Sequence, residues 1–264
     1  MKKYLVIGNP IDHSLSPKLH NYWIKKYNLD GAYDKKKVED CDLKNLIFKI
    51  KTKEISGINV TVPFKNKIIP YLDRLSIEAK KTQSVNMIYL KDNIIIGHNT
   101  DISGFELSIK KIKYNIKGKK VLILGAGGVV PSIIEALTRM RSSHIYVSNR
   151  TKEKAVKLKE LFENLTVIDW GEIPDFDMII NATSLEIKKN DIINLDLSNI
   201  GKDKFFYDVI YNPKQTNFLQ AAKKLGCENQ NGKMMFIYQA FEAFKICHQV
   251  DPIIDTETIN LLEE

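Results

Sequence analysis

The chain has 264 residues, enough for two domains, and its 44% hydrophobic and 27% charged residues are those of an ordinary folded protein. No run reaches the about 18 apolar residues of a membrane span, and YLVI near the start falls short of the about 7–15 that a secretion signal needs, so neither is expected. The formal charge of +8 rests on lysine: Arg74, Arg139, Arg141 and Arg150 are the only arginines among 40 basic residues, so a solvated basic surface is expected rather than a nucleic-acid partner.

Cys41, Cys227 and Cys247 form no CxxC pair, which speaks against a disulfide framework or a zinc site and for a reducing cytoplasm. In chain order, β-type runs stand at 4–8, 57–62, 121–125, 144–148, 177–181 and 205–210. Helical patterns fall at 17–27, 63–73, 102–112, 128–140, 152–163, 214–225 and 233–247. Strand alternating with helix predicts an α/β fold with parallel pairing. The chain is expected to divide near residue 101. Residues 1–101 form a first domain, 102–232 a doubly wound second one, and 233–264 return to the first, whose sheet otherwise lacks helices for both faces.

Four polar patches mark the first part: GNPIDHSLSPKLHN with Ser14 and Ser16, GINVTVPFK with Asn59, Thr61 and Lys65, SVNMI with Asn86, and GHNTDISG with Asn99, Thr100 and Asp101. They offer hydroxyls, amides, one ammonium and one carboxylate, a lining suited to a polyhydroxylated small molecule. Each patch also has a plainer reading. Ser14 and Ser16 stand where they can cap the helix after Pro17, Asp101 where it can cap 102–112, and Asn86 can satisfy a buried backbone group. His13 beside Ser14 is not read as part of a nucleophilic site, because no nucleophile elbow is present. In the stretch 57–65, Pro63 is expected to end the strand and start a helix, with Lys65 on its first turn.

The second part opens on VLILGAGGVVPSIIEAL, a buried strand running into Gly125-Ala126-Gly127-Gly128 and then a helix. Glycines there permit a tight turn and close approach of backbone to a pyrophosphate. The third place of G-x-G-x-x-G is Val130, which is expected to hold the helix slightly further from its strand. After the next strand come Asn149, Arg150 and Thr151, with no Asp or Glu in the place that binds a ribose 2′-OH. The fork of Arg150 faces a 2′-phosphate well, so NADP is favoured over NAD. NATS (181–184) puts small polar groups at a strand's carboxyl end, where Thr183 or Ser184 is equally placed to cap a helix.

GNPIDHSLSPKLHN, GINVTVPFK, NTD, GAGG, SNRT, NATS, DVIYNP and the closing M-x-x-x-Q (Met235 to Gln239), in this order, resemble the shikimate dehydrogenase family over nearly the whole chain. The resemblance implies a substrate domain followed by a Rossmann domain, an active site in the cleft between them, and NADPH-dependent reduction of 3-dehydroshikimate to shikimate in aromatic amino-acid biosynthesis. It implies Lys65 and Asp101 as the catalytic pair. Substrate contacts are then Ser14, Ser16, Thr61, Asn86, Asp101, Tyr211 and Gln239. Cofactor contacts are Gly125, Ala126, Gly127, Gly128, Val129, Asn149, Arg150, Thr151, Lys152, Glu153, Lys154, Thr183, Val209 and Gly232, with no metal. The chain departs from the family's pattern at SVNM, at Val130, at Met234, and after NATS, where a glycine usually follows one residue on. It is expected to be a cytoplasmic monomer or homodimer. The rivals are an NAD-dependent quinate/shikimate dehydrogenase and a non-enzymatic nucleotide- or nucleic-acid-binding module.

Overall fold

A computed structural model describes residues 1–186, 191 and 193–262. The chain forms two compact units, Met1–Gly104 with Ile237–Glu264, and Phe105–Phe236.

The first unit holds a mixed six-stranded sheet. Its elements are β1 (Lys2–Gly8), α1 (Ser16–Lys26), β2 (Gly31–Lys37), α2 (Leu43–Lys51), β3 (Gly57–Val60), β4 (Arg74–Leu75), α3 (Ile77–Thr82), β5 (Met87–Lys91) and β6 (Ile94–His98), after which α4 begins (Asp101–Lys111). The strand order is β2-β1-β3-β5-β6-β4. β1 pairs in parallel with β2 and β3, β3 and β6 pair antiparallel with β5, and β4 lies parallel to β6. One face buries Ile7, Leu46, Ile50, Ile58, Val60, Phe64 and Ile88 together. Fully burying side chains of this size is worth about 1.5–3 kcal/mol each, and it is this packing that fixes the ends of β1 and β3, where the polar patches begin.

The stretch after β3 differs from expectation. The strand ends at Val60, and no helix covers 63–73. Such a helix would carry Pro70 in its interior, where the ring clashes with the preceding turn and an N–H is missing. The chain instead turns at Phe64 N–H to Thr61 O (2.9 Å) and Ile68 N–H to Phe64 O (3.0 Å), then makes a 3₁₀ turn over Ile69–Tyr71. The Val62–Pro63 peptide is cis. By these backbone hydrogen bonds Lys65 sits in a turn, not on a helix.

The second unit continues with β7 (Lys120–Leu124), α5 (Val130–Arg139), β8 (His144–Ser148), α6 (Lys152–Lys157), β9 (Leu165–Ile168), β10 (Met178–Asn181), β11 (Phe205–Asp208), α7 (Asn217–Leu225) and β12 (Glu228–Gln230). All six strands are parallel, in the order β12-β11-β10-β7-β8-β9. The chain builds outward from β7 to β9 and then resumes on the other side of β7 at β10. The carboxyl ends of β7 and β10 thus flank a topological switch point, where ligands bind in open parallel sheets. The chain closes with α8 (Lys233–His248) and α9 (Thr256–Asn260). Among the described residues no helix is long and apolar enough to cross a membrane.

Candidate active site

Three loop ends of the first sheet, after β3, before β5 and after β6, assemble one polar cluster. The Lys65 ammonium lies 2.5 Å from Asp101 Oδ2, with the two residues 9% and 5% exposed. Lys65 is held through its own backbone, whose carbonyl accepts Val85 N–H at 2.8 Å. Asp101 is the first residue of α4, and its N–H bonds Asn99 Oδ1 (3.0 Å). Asn99 in turn donates to Thr82 Oγ1 and to Ser84 O. The second carboxylate oxygen, Oδ1, accepts Asn86 Nδ2 at 2.9 Å.

Asn86 is braced on both sides: its amide nitrogen also donates to Thr100 Oγ1 (2.9 Å), and its oxygen accepts Thr100 N–H (2.8 Å). Its plainer role, satisfying a buried backbone group, is therefore real and coexists with holding Asp101. Asn59, expected only to line the site, is 8% exposed, accepts the Tyr33 hydroxyl at 2.7 Å and donates to Asn86 O at 3.2 Å. Tyr33 lies flat against the His20 ring at 4.1 Å. Burial pushes the His20 imidazole down to about 3, with His248 adding to the effect, so it is neutral at physiological pH.

Desolvating two charges costs several kcal/mol per ion, and apolar replacements of a buried pair are often no less stable, so stability does not explain Lys65–Asp101. A lysine ammonium has three N–H donors. Asp101 is the hydrogen-bond partner of Lys65 Nζ among the described residues. The remaining donors suit a substrate oxygen.

The other expected substrate residues are placed as follows. Ser14 Oγ accepts the N–H of Ser16, the first residue of α1, at 3.3 Å, so Ser14 covers this helix start as its plainer reading expects. Thr61 follows β3 and packs tightly on Gly8, where an added Cβ would meet Thr61 Cγ2 at 2.6 Å. Gln239 is half-buried on α8. In the second unit Tyr211 stacks on Phe236, ring centroids 4.4 Å apart. His13 is exposed.

In the second unit the turn after β7 fits a dinucleotide. Gly125 adopts φ +112°, and a Cβ there would lie 2.8 Å from Ala182 O; Gly127 has open space where a Cβ would stand. The first glycine thus seats the turn against the end of β10, and the second leaves room for a phosphate beside bare backbone. Val130 is fully buried as the first residue of α5. Ala126, Gly128 and Val129 complete the turn, with Gly128 exposed. After β8, Asn149 Nδ2 bonds Thr151 O (2.8 Å), and Arg150 is exposed. Lys152, Glu153 and Lys154 are exposed on the short α6, Lys152 in an ion pair with Asp169 at 2.7 Å. Gly232 passes directly over Val209, whose carbonyl oxygen would sit 2.0 Å from an added Cβ.

Thr183 does not cap a helix. Its hydroxyl donates to Asn181 Oδ1 (2.7 Å) and accepts Leu185 N–H (3.1 Å), making a tight polar turn. Behind it stands a network missed in the sequence. Asn181 Nδ2 donates to Asp208 Oδ1 (3.0 Å), and Asp208 also accepts Ile210 N–H (2.9 Å) and the Thr216 hydroxyl (2.6 Å). Burial raises the Asp208 carboxyl to about 6, with the nearby Glu186 charge adding to the effect, against the lowering by its three hydrogen bonds. The signal available was DVIYNP followed by Thr216, an acid and a hydroxyl around the start of a helix. Among the described residues no group of three or more His, Cys, Asp or Glu is placed to hold a metal ion.

Two family models match: "Shikimate dehydrogenase substrate binding domain" over residues 6–88 and "Shikimate / quinate 5-dehydrogenase" over 106–215. A shikimate dehydrogenase (NADP(+)) of Pelagibacter ubique is 60% identical over 262 residues, 99% of each chain. The crystal structure of shikimate dehydrogenase from Aquifex aeolicus has a TM-score of 0.91 at 36% identity, covering 100% of this chain and 96% of that one. That of shikimate 5-dehydrogenase from Thermus thermophilus, in complex with NADP(H) and shikimate, also scores 0.91, at 27% identity, covering 100% and 99%.

Proposed function

The chain belongs to the shikimate dehydrogenase family, and from that premise we propose that it catalyses the reversible, NADPH-dependent reduction of 3-dehydroshikimate to shikimate, a step of aromatic amino-acid biosynthesis. The observation that carries the reading is the buried Lys65–Asp101 pair, 2.5 Å apart.

NADPH supplies the hydride when bound. As hydride reaches the ring ketone, negative charge grows on its oxygen. Lys65, held by Asp101, stabilises that charge and gives the oxygen its proton; in oxidation the same nitrogen takes the alcohol's proton back. Asp101 keeps the ammonium oriented, and Asn86 keeps Asp101 oriented. Ser14 and Ser16 receive the substrate carboxylate, and Thr61, Tyr211 and Gln239 its hydroxyls. The Gly125–Val129 turn, with Thr183, Val209 and Gly232, holds the dinucleotide. Asn149 to Lys154 contact the cofactor after β8, and Arg150 faces its 2′-phosphate and so prefers NADP. The three free cysteines agree with a cytoplasmic setting.

Turnover measured by reduced-nicotinamide absorbance, with shikimate or quinate and with NADP or NAD, tests this. The reading expects shikimate with NADP to give the highest kcat/KM. Preference for quinate with NAD would replace it with the quinate/shikimate reading, and no nicotinamide-dependent turnover would end it.

A further inference from the structure

Glu186 is the described residue of this region that neither the chemistry nor the dinucleotide turn accounts for. It stands two residues after NATS, where the family's pattern has glycine. Its backbone keeps the glycine-like conformation, φ +76°, yet the residue is a glutamate and is only 5% exposed. A non-glycine residue in this region is strained and persists where its surroundings hold it there. What holds it is its own carboxylate. Oε2 accepts Phe218 N–H at 2.8 Å, within the first turn of α7, and Oε1 accepts Ile193 N–H at 3.3 Å. A carboxylate against the free N–H groups of a helix start makes a charge-assisted bond.

The turn Thr183–Glu186 is therefore tied at both ends to one place. Its entry is fixed by Thr183 to Asn181, and Asn181 to Asp208, whose other oxygen takes the hydroxyl of Thr216. Thr216 caps α7. Its exit is fixed by Glu186 to Phe218, two residues further along the same helix start. At its entry the turn abuts the glycine loop: an added Cβ at Gly125 would meet Ala182 O at 2.8 Å and Thr183 N at 3.1 Å.

We propose that Glu186 is a positioning residue for the cofactor in this chain: its carboxylate fixes the Thr183 turn beside the glycine loop, a tie that glycine in its place would not supply. This rests on the reading that the Thr183 turn faces the dinucleotide.

The test is titration of NADPH into wild type, E186A, E186G and E186Q without shikimate, with KM for both substrates and the unfolding temperature of each. E186A and E186G are expected to raise the NADPH Kd about tenfold while the shikimate KM stays within about twofold. E186Q, which keeps one oxygen for Phe218 N–H, recovers most of the affinity. E186G carries the argument, because glycine takes the left-handed conformation without strain and lacks only the tie. If E186A does not fold, E186G and E186Q decide. Wild-type NADPH affinity in folded E186G, even with a lowered unfolding temperature, overturns the proposal. Wild type that binds no NADPH overturns the cofactor reading itself, and this inference with it.

Discussion

Lys65 and Asp101 each give up most of their hydration, at 9% and 5% exposure, to stand 2.5 Å apart. The desolvation penalty makes such a pair a poor stabiliser and a good proton device, because its geometry is fixed before substrate arrives. Arg150 is the opposite case, an exposed side chain after β8 whose proposed partner is a 2′-phosphate. We expect Arg150→Ala to raise KM for NADP about tenfold and leave KM for NAD nearly unchanged, read from initial rates with each cofactor. Equal loss with both would remove Arg150 from 2′-phosphate recognition. The residue-level candidates were legible because each patch joined residue types that a hydroxylated, anionic substrate needs. Their wiring was not. That Asn86 braces Asp101 while Tyr33 orients Asn59 depends on contacts between residues 14 to 27 positions apart.

At the scale of elements, the parallel strands with apolar runs were legible, since VLIL and MII are buried on both faces. Strands without that pattern were not. β2 reads GAYDKKK, an edge strand that exposes its lysines, as edges often do. The β5–β6 hairpin turns at Asp92 and Asn93, φ 52° and 60°, with no glycine to mark it. The helix expected over 63–73 fails at Pro70. Gly125→Ala places a methyl 2.8 Å from Ala182 O at φ +112°. Neither the backbone nor the neighbouring carbonyl gives cheaply, so the variant should lose thermal stability and NADPH affinity together; full retention of both would contradict the role of the turn. Asp208 bears on pH. Its native pKa, about 6, lies above the ordinary aspartate value of 3.8, so between these the folded state binds more protons than the unfolded. Its contribution to stability is fully present below about 4 and is lost as pH rises through about 6. Unfolding free energies of wild type and Asp208→Asn across this window should differ in slope, wild type falling relative to the variant as pH rises. Parallel curves would show that Asp208 titrates normally.

For the molecule as a whole, the residues proposed for chemistry and for the cofactor fall in different units. The unit of Met1–Gly104 with Ile237–Glu264 contains the ammonium and the carboxylate, and the unit of Phe105–Phe236 contains the glycine turn and Arg150. The charge of +8 surrounds both with a field that draws anionic ligands, and both proposed ligands, a carboxylate sugar-like acid and a phosphorylated dinucleotide, are anionic. Composition and motif order carried this much, because each motif closes a strand or opens a helix where the topology collects side chains. The returning helix α8 carries one such mark, M-x-x-x-Q (Met235 to Gln239), and α9 carries none. The measurement that bears most directly on the account is the kcat for shikimate oxidation by Lys65→Ala, alongside the variant's dissociation constant for shikimate. The account predicts kcat lower by about 10²–10⁴ with binding changed far less; a folded variant that turns over near the wild-type rate would contradict it.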